Sequence, residues 1–172
     1  MRRAALICLL TFSSGVAFAE HHSHGTATKL ATTDGKEVGV AHFMPAKDGV
    51  AMHVKVTGMA QGTHGIHLHA VGSCQAPDFS SAGSHWNPMD KEHGIENPQG
   101  AHMGDLTNLV VNADGTGELK TTVKGARLDS GKTGMFDSDG TALVIHAAPD
   151  DYRTDPSGDS GARIACGVVT ES

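Results

Sequence analysis

Aromatic residues are scarce in this 172-residue chain: one Trp, one Tyr and five Phe, 4% in all. Aliphatic side chains must therefore fill whatever core it has. Cysteine is also rare, at three. The apolar run Ala4 to Leu10 is too short for a membrane span, which needs about 20 apolar residues. No stretch keeps apolar residues at helical spacing long enough for an amphipathic helix of normal length. Basic charge is in deficit, with 13 Lys and Arg against 19 Asp and Glu and a formal net charge of −6. That balance argues against nucleic acid and anionic membrane surfaces as partners. The length suffices for one domain with a real core.

The N-terminus has the form of an export signal. Met1-Arg2-Arg3 precedes the short apolar run, and Ala17-Phe18-Ala19 supplies a small-residue ending. Cleavage after Ala19 is expected, an uncleaved anchor being the alternative, and Cys8 is lost with the signal. The expected organisation is a signal over 1–19, a His-rich tail over 20–26 and one folded domain over 27–172. Without Arg2 and Arg3 the balance becomes 11 against 19, or −8. A periplasmic or secreted location follows, and there the remaining pair, Cys74 and Cys166, reads as a disulfide. Free thiols or metal ligands are the alternatives. In the tail, His21, His22 and His24 offer an auxiliary metal site or a contact for a copper donor. A polar terminus with no role is the other reading.

The rest of the chain reads as short strands. Met52, Val54 and Val56 alternate with His53, Lys55 and Thr57, and Val38 and Val40 alternate similarly. Pro45 to Gly49 is a turn between them. Leu109 to Val111 and Glu118 to Val123 flank a hairpin turn at 112–117. Ala142 to Ile145 and Ile164 to Val169 are further apolar strands. With 22 glycines, an all-β barrel or sandwich is expected. Two segments resist strand assignment, 71–104 and 147–161. Loops this long in a compact domain are usually functional or disordered, and Cys74 and three histidines favour function for the first.

Twelve histidines dominate the composition. Three lie in Gly62-Thr63-His64-Gly65-Ile66-His67-Leu68-His69. Read as one strand, that stretch puts His67 and His69 on one face, turned out from the core, and Ile66 and Leu68 on the other. Imidazoles at i and i+2 can share one metal ion. His85, His93, His102 and Asp105 form a closed four-ligand set suited to zinc. His146 ends an apolar strand abruptly, and with His67, His69 and one loop histidine it makes an all-nitrogen set suited to Cu(II). His42 and His53 read as ordinary strand residues, and Trp86 as a residue packed beside the site.

Gly62-x-His64-Gly-x-His67-x-His69, Gly83-x-His85-Trp-Asn-Pro88, His102-x-Gly-Asp105 and Gly161-Ala-Arg163-Ile-Ala-Cys166-Gly-Val resemble the copper/zinc superoxide dismutases, and the signal and Gly72-Ser73-Cys74 resemble the exported bacterial branch. The likeness spans about Ala27 to Val169. It implies a Greek-key β-barrel or sandwich, immunoglobulin-like, with two long functional loops. It implies copper on His67, His69, His85 and His146, and zinc on His85, His93, His102 and Asp105. His85 would bridge the metals. Cys74 and Cys166 match the family's disulfide. Arg163 matches the arginine that guides the anion. Asp150 matches a carboxylate linking ligands of both metals, and His64 a residue bonded to backbone below the copper ligands.

The implied activity is dismutation of superoxide to dioxygen and hydrogen peroxide by a redox-cycling copper, with zinc structuring the site and His85 moving a proton. The second loop carries Asp150, Asp151, Asp155 and Asp159 but only Arg153 before Arg163, so steering would rest on Arg163, with Arg153 or Lys91 as lesser candidates. An exported copper/zinc store or carrier is the rival reading, favoured by the tail and opposed by Arg163 and Asp150. A zinc-only structural domain is opposed by the four copper ligands. Pairing into a homodimer is left open.

Overall fold

The computed structural model describes residues 25–171. The expected signal segment, Cys8 and the tail residues His21, His22 and His24 lie outside the described residues. Nine strands follow in chain order: β1 Thr26–Ala31, β2 Glu37–Ala46, β3 Gly49–Val56, β4 Gly62–His64, β5 Ile66–His69, β6 Leu109–Val111, β7 Gly117–Lys124, β8 Thr141–His146 and β9 Arg163–Val169. The helical content among the described residues is one 3-10 turn, Ser80–Ala82. No helix there is long and apolar enough to cross a membrane.

The strands form one sheet in the order β4-β6-β7-β3-β2-β1-β9-β8-β5, with antiparallel pairing throughout. Its edge strands β4 and β5 are separated in sequence by Gly65 alone. The sheet therefore curls until its edges approach, as a nearly closed barrel. β1 to β3 make a meander, β7 lies beside β3, and the chain then returns to place β9 beside β1. These skipping connections are of the Greek-key type.

Period-two alternation places the core. Val50, Met52, Val54 and Val56 of β3 all point inward, and each fully buried side chain of this size contributes about 1.5–3 kcal/mol. On β2 the phase slips. Val38 is buried, Val40 is only half-buried, and Ala41 and Phe43 take over the inward face. The neighbouring register with β1 shifts at Leu30/Ala31, so simple alternation from Val38 to Val40 does not hold. Pro45 also belongs to β2, paired with Val50, and the turn narrows to residues 47–48.

The expected single strand over Gly62–His69 is two strands. β4 pairs with β6 and β5 with β8. The break falls at Gly65, whose N–H donates to Ala148 O (2.8 Å) while its own carbonyl accepts from His146 N–H (2.8 Å). A β-carbon there would press on Ser160 Cβ at 2.8 Å. His67 and His69 do turn away from the core, but not to water: they are 0% and 1% exposed. The reason is that both long loops fold back over β5. The first donates Trp86 N–H to Leu68 O (2.8 Å) and accepts Leu68 N–H at Gly104 O (2.9 Å), so it covers the strand's free edge.

β8 is buried along its whole length. Leu143 and Ile145 enter the barrel core, while Ala142 and Val144 face an outer cluster with Phe79, Ala82 and Cys166. Two buried faces explain its unbroken apolar run. Cys74 and Cys166 are bonded across a sequence separation of 92 and staple the first loop onto this outer face. Closing so long a loop removes about 4–5 kcal/mol of unfolded-state entropy in the chain-entropy model. Cys166→Ser is accordingly expected to lower the unfolding free energy by about 2–5 kcal/mol, read by denaturant titration, and reductant should produce the same loss in the unaltered chain but none in the variant.

Candidate metal centre

β5, β8 and the two loops bring the chemistry-bearing side chains to one outer wall of the barrel. The donor atoms of His67, His69, His85 and His146 all lie within 4.8 Å of one another, as do those of His85, His93, His102 and Asp105. His85 belongs to both sets. His67, His93 and Asp150 make a third group beside them. The likeness-based ligand lists thus converge in space, and all eight of these residues are buried except His102, which is half-buried.

Hydrogen bonds fix which nitrogen each ring turns inward. His67 Nε2–H donates to Asp150 Oδ2 (2.8 Å), His69 Nδ1–H to Gly83 O (2.9 Å) and His146 Nδ1–H to Gly161 O (3.1 Å). In a neutral ring the other nitrogen is then a bare lone pair. Those inward atoms are His67 Nδ1, His69 Nε2 and His146 Nε2. His67 Nδ1 has no partner, and neither does the buried His85 Nε2. His69 Nε2 and His146 Nε2 lie 3.4 Å apart, two lone pairs that cannot bond each other. Four converging nitrogens without protons between them fit a bound cation and little else.

The second set converges on one oxygen. Asp105 Oδ1 lies 2.9 Å from His85 Nδ1, 3.1 Å from His93 Nδ1 and 3.2 Å from His102 Nδ1. Its other oxygen accepts the backbone N–H groups of Gly94 and His102 (both 2.9 Å), which orients the carboxylate. Three imidazoles and a carboxylate within reach of one another match the donor set of a closed zinc site. Asp150 ties the sets together, since its Oδ1 accepts His93 Nε2–H (3.0 Å) and its Oδ2 accepts from His67. Gly158, at φ +63°, makes room for this bridge, because a β-carbon there would overlap Asp150 Oδ1.

Protonation follows from burial and partners. Desolvation pushes His69 down to about 2, His146 to about 3 and His85 to about 4, so all three stay neutral at ordinary pH. His93 is the exception. Burial opposes its charge, but hydrogen bonds to Asp105 and Asp150 outweigh that and raise it to about 9. Burial likewise opposes the charge on Asp105 and Asp150, yet the imidazoles bonded to them hold both carboxyls well below the usual range.

Arg163 begins β9, half-buried beside the site. Its Nη1 donates to Phe79 O and its Nη2 to Gly83 O, both at 2.7 Å. Gly83 O is also the acceptor for His69, so one carbonyl fixes a ring and the guanidinium together. His64 is buried with Nδ1 2.8 Å from His146 O and Nε2 3.2 Å from Ala60 O, so it braces backbone and stands outside both donor sets. Arg153 is exposed and engaged with Glu96 (2.7 Å), which removes most of the free charge expected of it. Lys91 is exposed. Trp86, which follows His85 in the chain, is buried in the main core. His42 is exposed on β2 and faces His53 of β3 in register. Sequence reading did not find Asn108, whose amide bonds the Asp150 backbone, or Tyr152, whose N–H donates to the Asp150 carboxylate and whose hydroxyl accepts Asn108 N–H. No spacing or composition signal marks either.

A Greek-key barrel carrying two imidazole-rich donor sets that share one ring defines a dinuclear metalloprotein. The family profile for Copper/zinc superoxide dismutase (SODC) matches residues 37–169. The chain is 36% identical to Superoxide dismutase [Cu-Zn] 1 of Aquifex aeolicus over 165 residues, covering 95% of each chain. It is 42% identical to Superoxide dismutase-like protein YojM of Bacillus subtilis, covering 87% of this chain and 78% of that one. A crystal structure of a SOD-like protein from Bacillus subtilis superposes with a TM-score of 0.80 at 41% identity, covering 84% of this chain and 97% of that one. The chain belongs to the copper/zinc superoxide dismutase family. It is an oxidoreductase of that family, with copper and zinc as cofactors.

Acid should destabilise the metal-free chain. His69, His146 and His85 have folded pKa values below the ordinary 6.5, so below that pH the unfolded chain takes up protons that the folded chain refuses. Stability is full above about 6.5 and is lost as pH falls through the folded values. His93, raised to about 9, acts oppositely and loses its contribution only as pH rises toward 9. His85 alone accounts for a loss of about 3 kcal/mol between pH 7 and pH 4, measurable by denaturant unfolding at the two pH values after chelation.

Proposed function

We propose that the chain dismutes superoxide to dioxygen and hydrogen peroxide, with copper held by His67 Nδ1, His69 Nε2, His85 Nε2 and His146 Nε2, and zinc by His85 Nδ1, His93 Nδ1, His102 Nδ1 and Asp105 Oδ1. The observation that carries this reading is the pair of buried, unpartnered nitrogens His67 Nδ1 and His85 Nε2 at the meeting point of two donor sets. When bound, copper supplies the one-electron couple that oxidises one superoxide and reduces the next, and zinc supplies a fixed charge beside it.

The side chains do the rest. His85 has a ring nitrogen turned to each donor set, so a ring that has lost its proton would serve both sets, and a proton taken up from solvent at Nε2 would then pass from there to peroxide as one of the two it needs. Zinc held at its Nδ1 would lower the cost of the deprotonated ring. Asp150 holds the His67 and His93 rings in one tautomer each, which orients a ligand of each metal. Arg163 is a permanent cation held by two carbonyls, rigid enough to dock a small anion beside His69 and His146. It offsets the long-range repulsion of an acidic chain, as a local field in a cleft can.

The disulfide suits an exported protein, and we place the mature chain in the periplasm or outside the cell, with cleavage after Ala19. His21, His22 and His24 would then offer copper a first contact with a donor. A pure store or carrier has no use for a cation held beside the copper ligands, so Arg163 favours the enzyme.

Stopped-flow superoxide decay on the mature protein, with metal content measured on the same sample, tests the reading. Near-diffusional decay with one copper and one zinc per chain is expected, and full loading with negligible decay would leave the carrier. Arg163→Ala should lower the second-order rate by about tenfold or more and flatten its salt dependence. Arg153→Gln, which removes a charge already paired with Glu96, should leave both unchanged.

A further inference from the structure

Asp150 is held at its backbone by a residue from another loop. Asn108 Oδ1 accepts Asp150 N–H (2.9 Å), and Asn108 Nδ2–H donates to Asp150 O (2.9 Å). One side-chain amide thus satisfies both backbone groups of Asp150, as a neighbouring strand would. Asn108 is itself fixed. It immediately precedes β6 and follows Asp105 by three residues. Its own N–H donates to the Tyr152 hydroxyl (2.9 Å), and Tyr152 N–H donates to Asp150 Oδ1 (2.7 Å). The three residues close a ring of contacts around the carboxylate that receives His67 and His93.

We propose that Asn108 is the positioning residue for the zinc and copper ligands, acting through Asp150. The second loop has no regular structure from Ala147 to Ala162, and its residue Asp150 must sit within hydrogen-bond reach of two rings at once. A shift of less than 1 Å would lengthen bonds of 2.8 and 3.0 Å past useful range. Anchoring at the backbone sets where the carboxylate starts, and Tyr152 N–H sets which way it turns. Only an amide of this length carries one donor and one acceptor side by side. Aspartate keeps the acceptor and loses the donor, alanine loses both, and glutamine overshoots by a methylene. The role rests on the ligand assignment proposed above.

The test uses the copper- and zinc-loaded full-length mature protein. Zinc release to an excess of chelator is followed well below the unfolding temperature, together with the imidazole N–H proton resonances of His67 and His93. Asn108→Ala is expected to speed zinc release by about tenfold, the lower end of what loss of an outer partner of a metal ligand costs. It should also speed solvent exchange of both N–H protons. Asn108→Asp should fall between Ala and the unaltered chain, and it serves alone if the Ala variant does not fold. A core variant such as Val56→Ala, matched in unfolding temperature, supplies the control. Release and exchange unchanged in Asn108→Asp and Asn108→Ala, or changed no more than in the matched control, would overturn the proposal. An unaltered chain that takes up no zinc would instead overturn the ligand assignment, a result seen before any variant is compared.

Discussion

The two buried carboxylates are what the rest of the site depends on. Six imidazole rings crowd one wall of the barrel, with His67 and His85 stacked at a centroid distance of 3.9 Å. Left to themselves, such rings would choose tautomers and tilts that satisfy one another. Asp105 and Asp150 prevent that, by accepting from the rings or facing them at fixed points. Desolvation opposes the charge on both carboxylates, and the imidazoles around them more than offset it. Neither group would be tolerable alone in so dry a place. Carboxylates and rings together require a cation to complete them, which is why the donor atoms look inward to a common point.

That requirement explains the division of labour in the fold. The barrel supplies His67, His69 and His146 on two paired strands, β5 and β8, where the ladder fixes their spacing. Loops supply the others, and loops have no ladder. The disulfide pins the first loop at Cys74, isolated bridges join His67 to Asp105 and His69 to His85, and Asn108 pins the second loop at Asp150. Three different devices thus do for irregular backbone what hydrogen-bonded register does for strands.

Much of this was legible in the sequence because ligand chemistry is written in residue type. His67, His69, His85, His93, His102, Asp105 and His146 were identifiable as two donor sets, and Cys74 with Cys166 as a pair. The strands from β3 onward followed from alternation, apolar runs and turn residues, with β4 and β5 read as one strand. What stayed hidden depends on contacts rather than on type. The break at Gly65 splits a stretch that reads as one strand, because the need for it comes from Ala148 and Ser160, far along the chain in the second loop. Burial of His67 and His69 depends on loops closing over them, which period-two alternation does not report. Val40 fails to point inward because the β1 register shifts beside it. Asn108 looks like any polar residue before a strand.

In the proposed function, Arg163 ties guidance of the anion closely to metal ligation. Its Nη2 and the His69 ring share one acceptor, Gly83 O, and its Nη1 uses Phe79 O. Phe79 sits in the left-handed region at φ 57°, a conformation unfavourable for a bulky residue. Phe79 is buried in the outer cluster with Val144 and Cys166, and that packing holds the backbone where it would not rest by itself. A guanidinium placed this way cannot move without disturbing a proposed copper ligand, and the ligand cannot tilt without releasing the guanidinium. Under the proposed function, substrate docking and metal geometry would therefore be set by the same few bonds, and the disulfide that anchors the cluster would stabilise both.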